Sequence, residues 1–483
     1  MAKEMRKGKY LLKNLLIFGI GGVLPKILAF IMVPIYTNYL STADYGIADI
    51  IIITAELLIP IFTLTIYDAV LRFGLNKNYD GKQVLSAGLK ILFFGTVIVS
   101  LIVFIIGIVN IIPIRKLYLV VLVCMFFLGG GNNILTRFCR TIDKVKIITI
   151  SGVANSVVMF GANILFLVVF HWGLEGYLFA QLLGNFVSIL ICFFGARLYK
   201  YLTLKTTKGL LSKMMAFSFP MIFSAIAWWI NNASDKYIVL WMCGISVSGV
   251  FALSSKIPSL LAIFQTVFNQ AWSISAIKEF DRDDKDGFIR NVFSAMALIM
   301  ALVASILIIM NLPFAELLYS KEFYSAWMFV PPLIIAVVFN SLSLHLDGLF
   351  LAVNDTKSIS ISTIIGAIVN TVCNIVLIYF FGAYGAAIAT MIGFFVGFMI
   401  RLIKIRKYFN VGLASLRDFL VWVLLLGQMA LAYSGWQLIF VQPVITICII
   451  LFYIKDFKQV IFLIKNRKKD KAIQDNSKQT DNE

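Results

Sequence analysis

The chain has 483 residues. Sixty per cent are hydrophobic, against about 45–50% in an average soluble domain, and 14% are charged, where about 25% is usual. With 42 Phe and a mean hydropathy of +0.93, these figures exclude a soluble globular enzyme, a disordered chain and a secreted disulfide scaffold.

An outer-membrane barrel would alternate apolar and polar residues. This chain carries long unbroken apolar runs instead, which fit membrane-spanning helices of roughly 20 residues. Fourteen are expected, at about 11–38, 46–72, 85–110, 116–138, 147–170, 174–197, 212–234, 237–275, 290–311, 325–352, 358–381, 384–406, 415–434 and 437–455. A basic N-terminus leads into the first run. No A-x-A site closes that run, so it reads as an uncleaved first helix. The connections are short and leave no room for an extramembrane catalytic domain.

Lys plus Arg outnumber Asp plus Glu by 42 to 24, a net +18. In so apolar a chain this points to basic loops facing the cytoplasm and anionic lipid, not to nucleic acid. With both termini placed in the cytoplasm, 36 of the 42 basic residues fall on that side. Only Arg115, Lys116 and Lys321 fall outside, while Lys26, Lys236 and Lys256 lie in or at the edge of spans. The tail at 464–483 is polar and expected to be disordered. The six cysteines (Cys124, Cys139, Cys192, Cys243, Cys373, Cys448) lie in apolar segments without a CxxC pair and read as small core hydrophobes. No cofactor or metal site is expected.

The first six spans resemble the next six. Trp172-Gly173-Leu174-Glu175-Gly176-Tyr177 with Gly184 answers Phe381-Gly382-Ala383-Tyr384-Gly385-Ala386 with Gly393. Asn155 and Asn163 answer Asn370 and Asn374, and Asp143-Lys144 answers Asp355-Thr356-Lys357. Six spans per half make this a parallel repeat, a pattern of transporters with a site between the halves. The expected fold is an all-α polytopic membrane protein of two six-helix bundles plus two C-terminal helices. The divisions are 1–200, 201–410, 411–463 and the cytoplasmic tail 464–483.

The first span ends Pro34-Ile35-Tyr36-Thr37-Asn38-Tyr39-Leu40-Ser41, followed by Asp44-Tyr45-Gly46, and the second ends Ala69-Val70-Leu71-Arg72-Phe73. Later come Phe219-Pro220, Asp235-Lys236, Gly249-Val250-Phe251-Ala252 and Ala271-Trp272. Over about residues 10–460 the chain resembles the polysaccharide flippases of the multidrug/oligosaccharidyl-lipid/polysaccharide exporter superfamily. That resemblance implies fourteen helices around a central cavity. It also implies transfer of an oligosaccharide on an undecaprenyl diphosphate carrier from the inner to the outer leaflet of the cytoplasmic membrane. Lipid-linked oligosaccharide and membrane lipid are then the partners, with polymerase and glycosyltransferases of the same pathway alongside.

A charge in hydrocarbon costs about 2.5–3.5 kcal/mol on insertion scales, so each intramembrane charge needs a reason. Lys26 shares a helical face with Ala29, Val33 and Thr37, beside Pro25 where a bend is expected. It reads as a cation meeting the diphosphate, or as a lysine neutralised by an acid such as Glu56. Asp49, Glu56, Thr63 and Tyr67 share another face. Glu56 would neutralise Lys26 or Lys256, or bind a coupling proton or cation. Asp68 and Arg72 read as a local i, i+4 pair. Asp235 and Lys236 read as a family feature of the cavity or a helix-end ion pair. Lys256, two residues before Pro258, reads as a second cavity cation in a kinked helix. Arg137 and Arg140 satisfy the positive-inside bias and could also collect an anionic head group. Asp347 reads as structural.

No HExxH, GxSxG, Walker loop or GxGxxG following a strand is present, so no enzymatic activity is expected. The alternatives are a cation-coupled multidrug exporter of the same fold and a membrane-embedded transferase using His345 and Asp347.

Overall fold

The computed structural model describes residues 23–109, 115–203, 208–278, 283–285, 287–409, 414–434 and 440–453. The start of the first expected span, the basic residues Lys3 to Lys13, Arg282 and the polar tail lie outside the described residues, as do the side chains of Gln270 and Lys278. Among the described residues the chain is helical without strands. Eleven helices among these residues are long and apolar enough to cross a membrane. Two shorter apolar ones, Val23–Tyr39 and Val441–Tyr453, fall where the first and last spans are expected. The chain is a multi-pass membrane protein.

In chain order the helices are α1 (Val23–Tyr39), α2 (Thr42–Phe62), α3 (Ile66–Leu75), α4 (Gly81–Val109), α5 (Lys116–Thr141), α6 (Val145–Asn163) and α7 (Gly173–Leu190). There follow α8 (Lys208–Cys243), α9 (Ile245–Ser254), α10 (Lys256–Lys278), α11 (Phe288–Ile309) and α12 (Asn311–Leu318). The last are α13 (Val330–Ala352), α14 (Thr356–Phe381), α15 (Ala383–Ile405), α16 (Leu416–Ala432) and α17 (Val441–Tyr453). They form two compact units. Unit 1 holds Met1–Ile263, Phe314–Ala326 and Thr371–Ala386, and unit 2 holds Phe264–Pro313, Trp327–Asn370 and Ala387–Glu483.

Several breaks follow from proline and glycine. A turn in α1 falls at Met32, ahead of Pro34, while the turn preceding Pro25 lies outside the described residues. Pro34 has no N–H for the carbonyl of Phe30, and its ring disturbs the preceding turn. The second expected span is not one helix. Pro60 has no N–H for the carbonyl of Glu56, and α2 stops two residues later. Leu64 and Thr65 take positive φ of 52° and 47° before α3 restarts. The Thr65 hydroxyl donates to Ser218 O at 2.9 Å and anchors the break to α8. The seventh helix runs on to Cys243 because nothing before Gly244, at φ +88°, can end it. Lys236 is therefore interior to α8 and not at its end. The expected kink near Pro258 is present as the break at Ser255 between α9 and α10.

In unit 1, α2 starts with a capping box in which Ser41 and Asp44 bond reciprocally. It then crosses α9 backbone against backbone. A Cβ at Gly46 would collide with Ile245 O, and one at Gly249 with Thr42 O. Small residues allow such close approach in membrane bundles. The unit 1 core gathers Val70, Leu85, Phe126, Ile134, Phe138 and Cys139. All six cysteines are free thiols.

In unit 2, α13 is buried along nearly its whole length. The Arg401 Nε donates to Asp347 at 2.7 Å and its Nη2 to Thr363 Oγ1 at 2.8 Å, which fits the structural reading of Asp347. His345 is fully buried and stacks on Trp272 with ring centroids 4.2 Å apart. Asp355 caps α14 and accepts from the Ser358 hydroxyl, the Ser358 N–H and Tyr408 OH. The Ser358 hydroxyl first, then that N–H and Tyr408, hold its carboxyl below the ordinary carboxylate range. The cap is in place at neutral pH and weakens only as pH falls through that lowered value.

Gly249→Val should overpack the α2–α9 crossing and cost about 1–3 kcal/mol. A lowered midpoint of thermal aggregation, read by fluorescence-detected gel filtration in detergent, is the expected result. An unchanged midpoint would contradict the close crossing.

Candidate functional site

All seven sequence-expected site residues, Lys26, Glu56, Arg137, Arg140, Asp235, Lys236 and Lys256, belong to unit 1. They do not form one cluster. The densest polar group is built on α2 and α8. The Lys236 ammonium lies 2.8 Å from the Asp49 carboxylate, and both side chains keep less than a fifth of their surface. One α-helical turn further, Thr54 Oγ1 bonds the Tyr237 hydroxyl, and Trp229 Nε1 donates to Ile53 O at 2.9 Å. These contacts fasten α8 along the face of α2 that carries Asp49 and Glu56.

Glu56 sits seven residues after Asp49, on the same face. Its strongest charged neighbours are Lys236 and Asp49. It makes no hydrogen bond or ion pair among the described residues and opens into a cavity of about 370 Å³ lined by Tyr67, Asn133, Trp228 and Trp229. The reading in which Glu56 neutralises Lys26 is not what the geometry shows. Lys26 Nζ donates instead to the backbone carbonyl of Ala262 on α10, at 3.1 Å. Lys256 begins α10 half-buried, close enough to Tyr177 to interact electrostatically, and forms no salt bridge among the described residues.

Asp235 and Lys236 are adjacent in sequence but about 100° apart around α8. They therefore meet different elements. Asp235 is buried and accepts from Asn374 Nδ2 at 2.8 Å, so the helix-end ion pair with its neighbour is replaced by a contact to α14. Asp68 pairs with Arg137 across helices at 3.6 Å, not with Arg72. Arg72 instead lies over the Phe217 ring at 4.3 Å. Arg137 also faces the Tyr67 ring at 6.0 Å, and Arg140 is exposed one turn on.

Sequence reasoning missed a buried tyrosine cluster. The rings of Tyr36 and Tyr177 lie 5.0 Å apart, and Tyr45 lies 6.1 and 5.9 Å from them. Tyr36 and Tyr45 stood in the family-like segments, and Tyr177 in the repeat. Nothing in their spacing brings α1, α2 and α7 together.

The two close approaches at the sixth and twelfth expected spans are alike. A Cβ at Gly184 would collide with Asn155 in unit 1, and a Cβ at Gly393 with Asn370 in unit 2.

Residues 11–273 match the profile of the family described as polysaccharide biosynthesis protein. This chain belongs to that family. No curated protein sequence matches it. Among solved structures it is similar to the lipid II flippase MurJ in an inward closed conformation, with a TM-score of 0.72 at 14% identity, over 92% of this chain and 100% of that one. It is also similar to an inward-facing multidrug resistance MATE family transporter of the MOP superfamily, with a TM-score of 0.62 at 11% identity, over 85% of this chain and 96% of that one. A MOP superfamily transporter from Pyrococcus furiosus, noted for the reversed polarity of its binding pocket, gives 0.57 at 14% identity over 82% and 94%. The fold is thus that of the flippases and exporters of this superfamily.

Removing one partner of a buried ion pair strands the other, at about 3–5 kcal/mol. Asp49→Ala should fall near the lower end because both side chains retain some exposure. The Asp49→Ala/Lys236→Ala double variant should recover most of the lost thermal stability. Additive losses in that cycle would contradict a coupled pair.

Proposed function

We propose that this protein moves an oligosaccharide linked to undecaprenyl diphosphate from the inner to the outer leaflet of the cytoplasmic membrane, with both termini on the cytoplasmic side. The observation that carries the reading is family membership over 11–273, joined to lysines retained inside apolar helices. Lys26 donates to the backbone carbonyl of Ala262, a contact that orients its ammonium. Lys256 has no salt bridge among the described residues. Two such cations suit a diphosphate.

The mechanism is alternating access of two six-helix halves related by a parallel repeat, a relation supported by the matching Asn155–Gly184 and Asn370–Gly393 approaches. In this reading Arg137 and Arg140 gather the anionic head group at the cytoplasmic end. Lys26 and Lys256 then hold it inside, while the prenyl tail stays in lipid. An inside-negative potential favours the step. About 2.3 kcal/mol per charge per 100 mV gives about 4.6 kcal/mol for a head group near −2.

One observation favours a second reading, a cation-coupled multidrug exporter. Glu56 faces its cavity among Tyr67, Trp228 and Trp229, a carboxylate among aromatic rings that suits a lipophilic cation.

Lys26→Ala and Lys256→Ala should each lower surface polysaccharide at least about tenfold in a complemented deletion strain, the equivalent of 1.4 kcal/mol, with membrane insertion intact. Full activity of the double variant would overturn the lysine roles. Normal lipid-linked intermediates with new sensitivity to cationic drugs in the deletion strain would favour the second reading.

A further inference from the structure

Unit 1 holds a second polar concavity that none of the foregoing uses. The end of α1, the start of α2 and the segment after α12 enclose a cleft of about 270 Å³. That is just below the range of about 300–1,000 Å³ typical of small-ligand pockets. It has room for one sugar ring and not for a chain.

Its lining is chemically mixed. Glu322 accepts from the Thr42 hydroxyl at 3.0 Å, and Lys321 Nζ donates to Asn38 O at 3.2 Å. Tyr39 forms another part of the wall, 39% exposed and backed by the His171 ring at 5.9 Å and 18°. Buried Leu40 and Phe323 supply an apolar floor. Lys321 itself sits at φ +55°, a conformation that a lysine adopts only under constraint.

The adjacent ammonium and carboxylate cancel, so the cleft favours neither an anion nor a cation. A carboxylate that can accept from neighbouring hydroxyls, an ammonium donor and an exposed aromatic face suit a neutral ligand with hydroxyl edges and a C–H face. We infer that the cleft bounded by residues 37–42 and 321–323 is a carbohydrate subsite that takes one sugar ring of the glycan. It rests on the proposed function, which delivers a glycan to the outer side, where the connection holding Lys321 is expected.

The test is saturation-transfer NMR on the full chain in nanodiscs, with glucose, galactose and N-acetylglucosamine as probes. At least one should receive saturation from the protein. Tyr39→Ala, and Glu322→Gln, which keeps an acceptor for Thr42, should each weaken binding about tenfold, the loss of one good contact. Tyr39→Phe should bind like wild type, and thermal midpoints confirm folding. No binding by any probe, or unchanged binding in both variants, overturns the subsite. If sugar binding fails while a deletion strain still accumulates lipid-linked glycan on the cytoplasmic side, the subsite alone is overturned. If the deletion strain shows no such accumulation, the proposed function fails, and the subsite falls with it.

Discussion

The constraint on which unit 1 depends is the cost of holding charge inside an apolar bundle. Asp49 and Lys236 meet it by pairing at 2.8 Å across α2 and α8. Around that pair, Thr54 with Tyr237 and Trp229 with Ile53 O hold the two helices in one register. Without the pair, each charge would turn to water or lipid and the face of α2 would be unfastened. A pair of this kind adds little net stability over a well-packed apolar contact. Its value lies in fixing which faces meet, and in leaving Glu56 as the acid of that face open to a cavity.

Backbone breaks do the complementary work. Pro60 and the positive-φ residues Leu64 and Thr65 split the second span. They free α3 to carry Asp68 to Arg137, and they leave the Glu56 carbonyl without its usual donor. In α1 and between α9 and α10, interruptions fall within a few residues of the cations Lys26 and Lys256. Irregular backbone at membrane depth is tolerated where it is buried in protein or lines a cavity.

Much of this was legible in the chain itself. Apolar length located the spans, and the polar period on α2 put Asp49 and Glu56 on one face. The cost of charge within apolar spans singled out Lys26 and Lys256. What escaped was partnership between helices distant in sequence. The i, i+4 spacing of Asp68 and Arg72 suggested a local pair, but Asp68 meets Arg137 and Arg72 meets Phe217, each on another helix. Adjacent Asp235 and Lys236 read as one feature, yet the pitch of α8 separates them onto different neighbours. The tyrosine cluster of Tyr36, Tyr45 and Tyr177 and the cleft at Glu322 depend on contacts between α1, α2, α7 and the segment after α12. No single-helix periodicity encodes such contacts. Helix ends were misjudged where the punctuation was subtle: the seventh helix runs on past Lys236 to Cys243, and Pro60 with Leu64 and Thr65 splits the second span.

The proposal drawn from family, fold and the intramembrane lysines is that the chain moves a lipid-linked glycan between leaflets. The measurement that tests it most directly uses the purified full-length protein in sealed vesicles containing undecaprenyl-diphosphate-linked oligosaccharide. A membrane-impermeant glycan-cleaving enzyme reads the outer leaflet. The account predicts that the protected half of the glycan becomes accessible with the wild-type protein and stays protected with the Lys26→Ala/Lys256→Ala variant. A protected half that persists with the wild-type protein, in vesicles where the same protein moves a lipophilic cation, would contradict it.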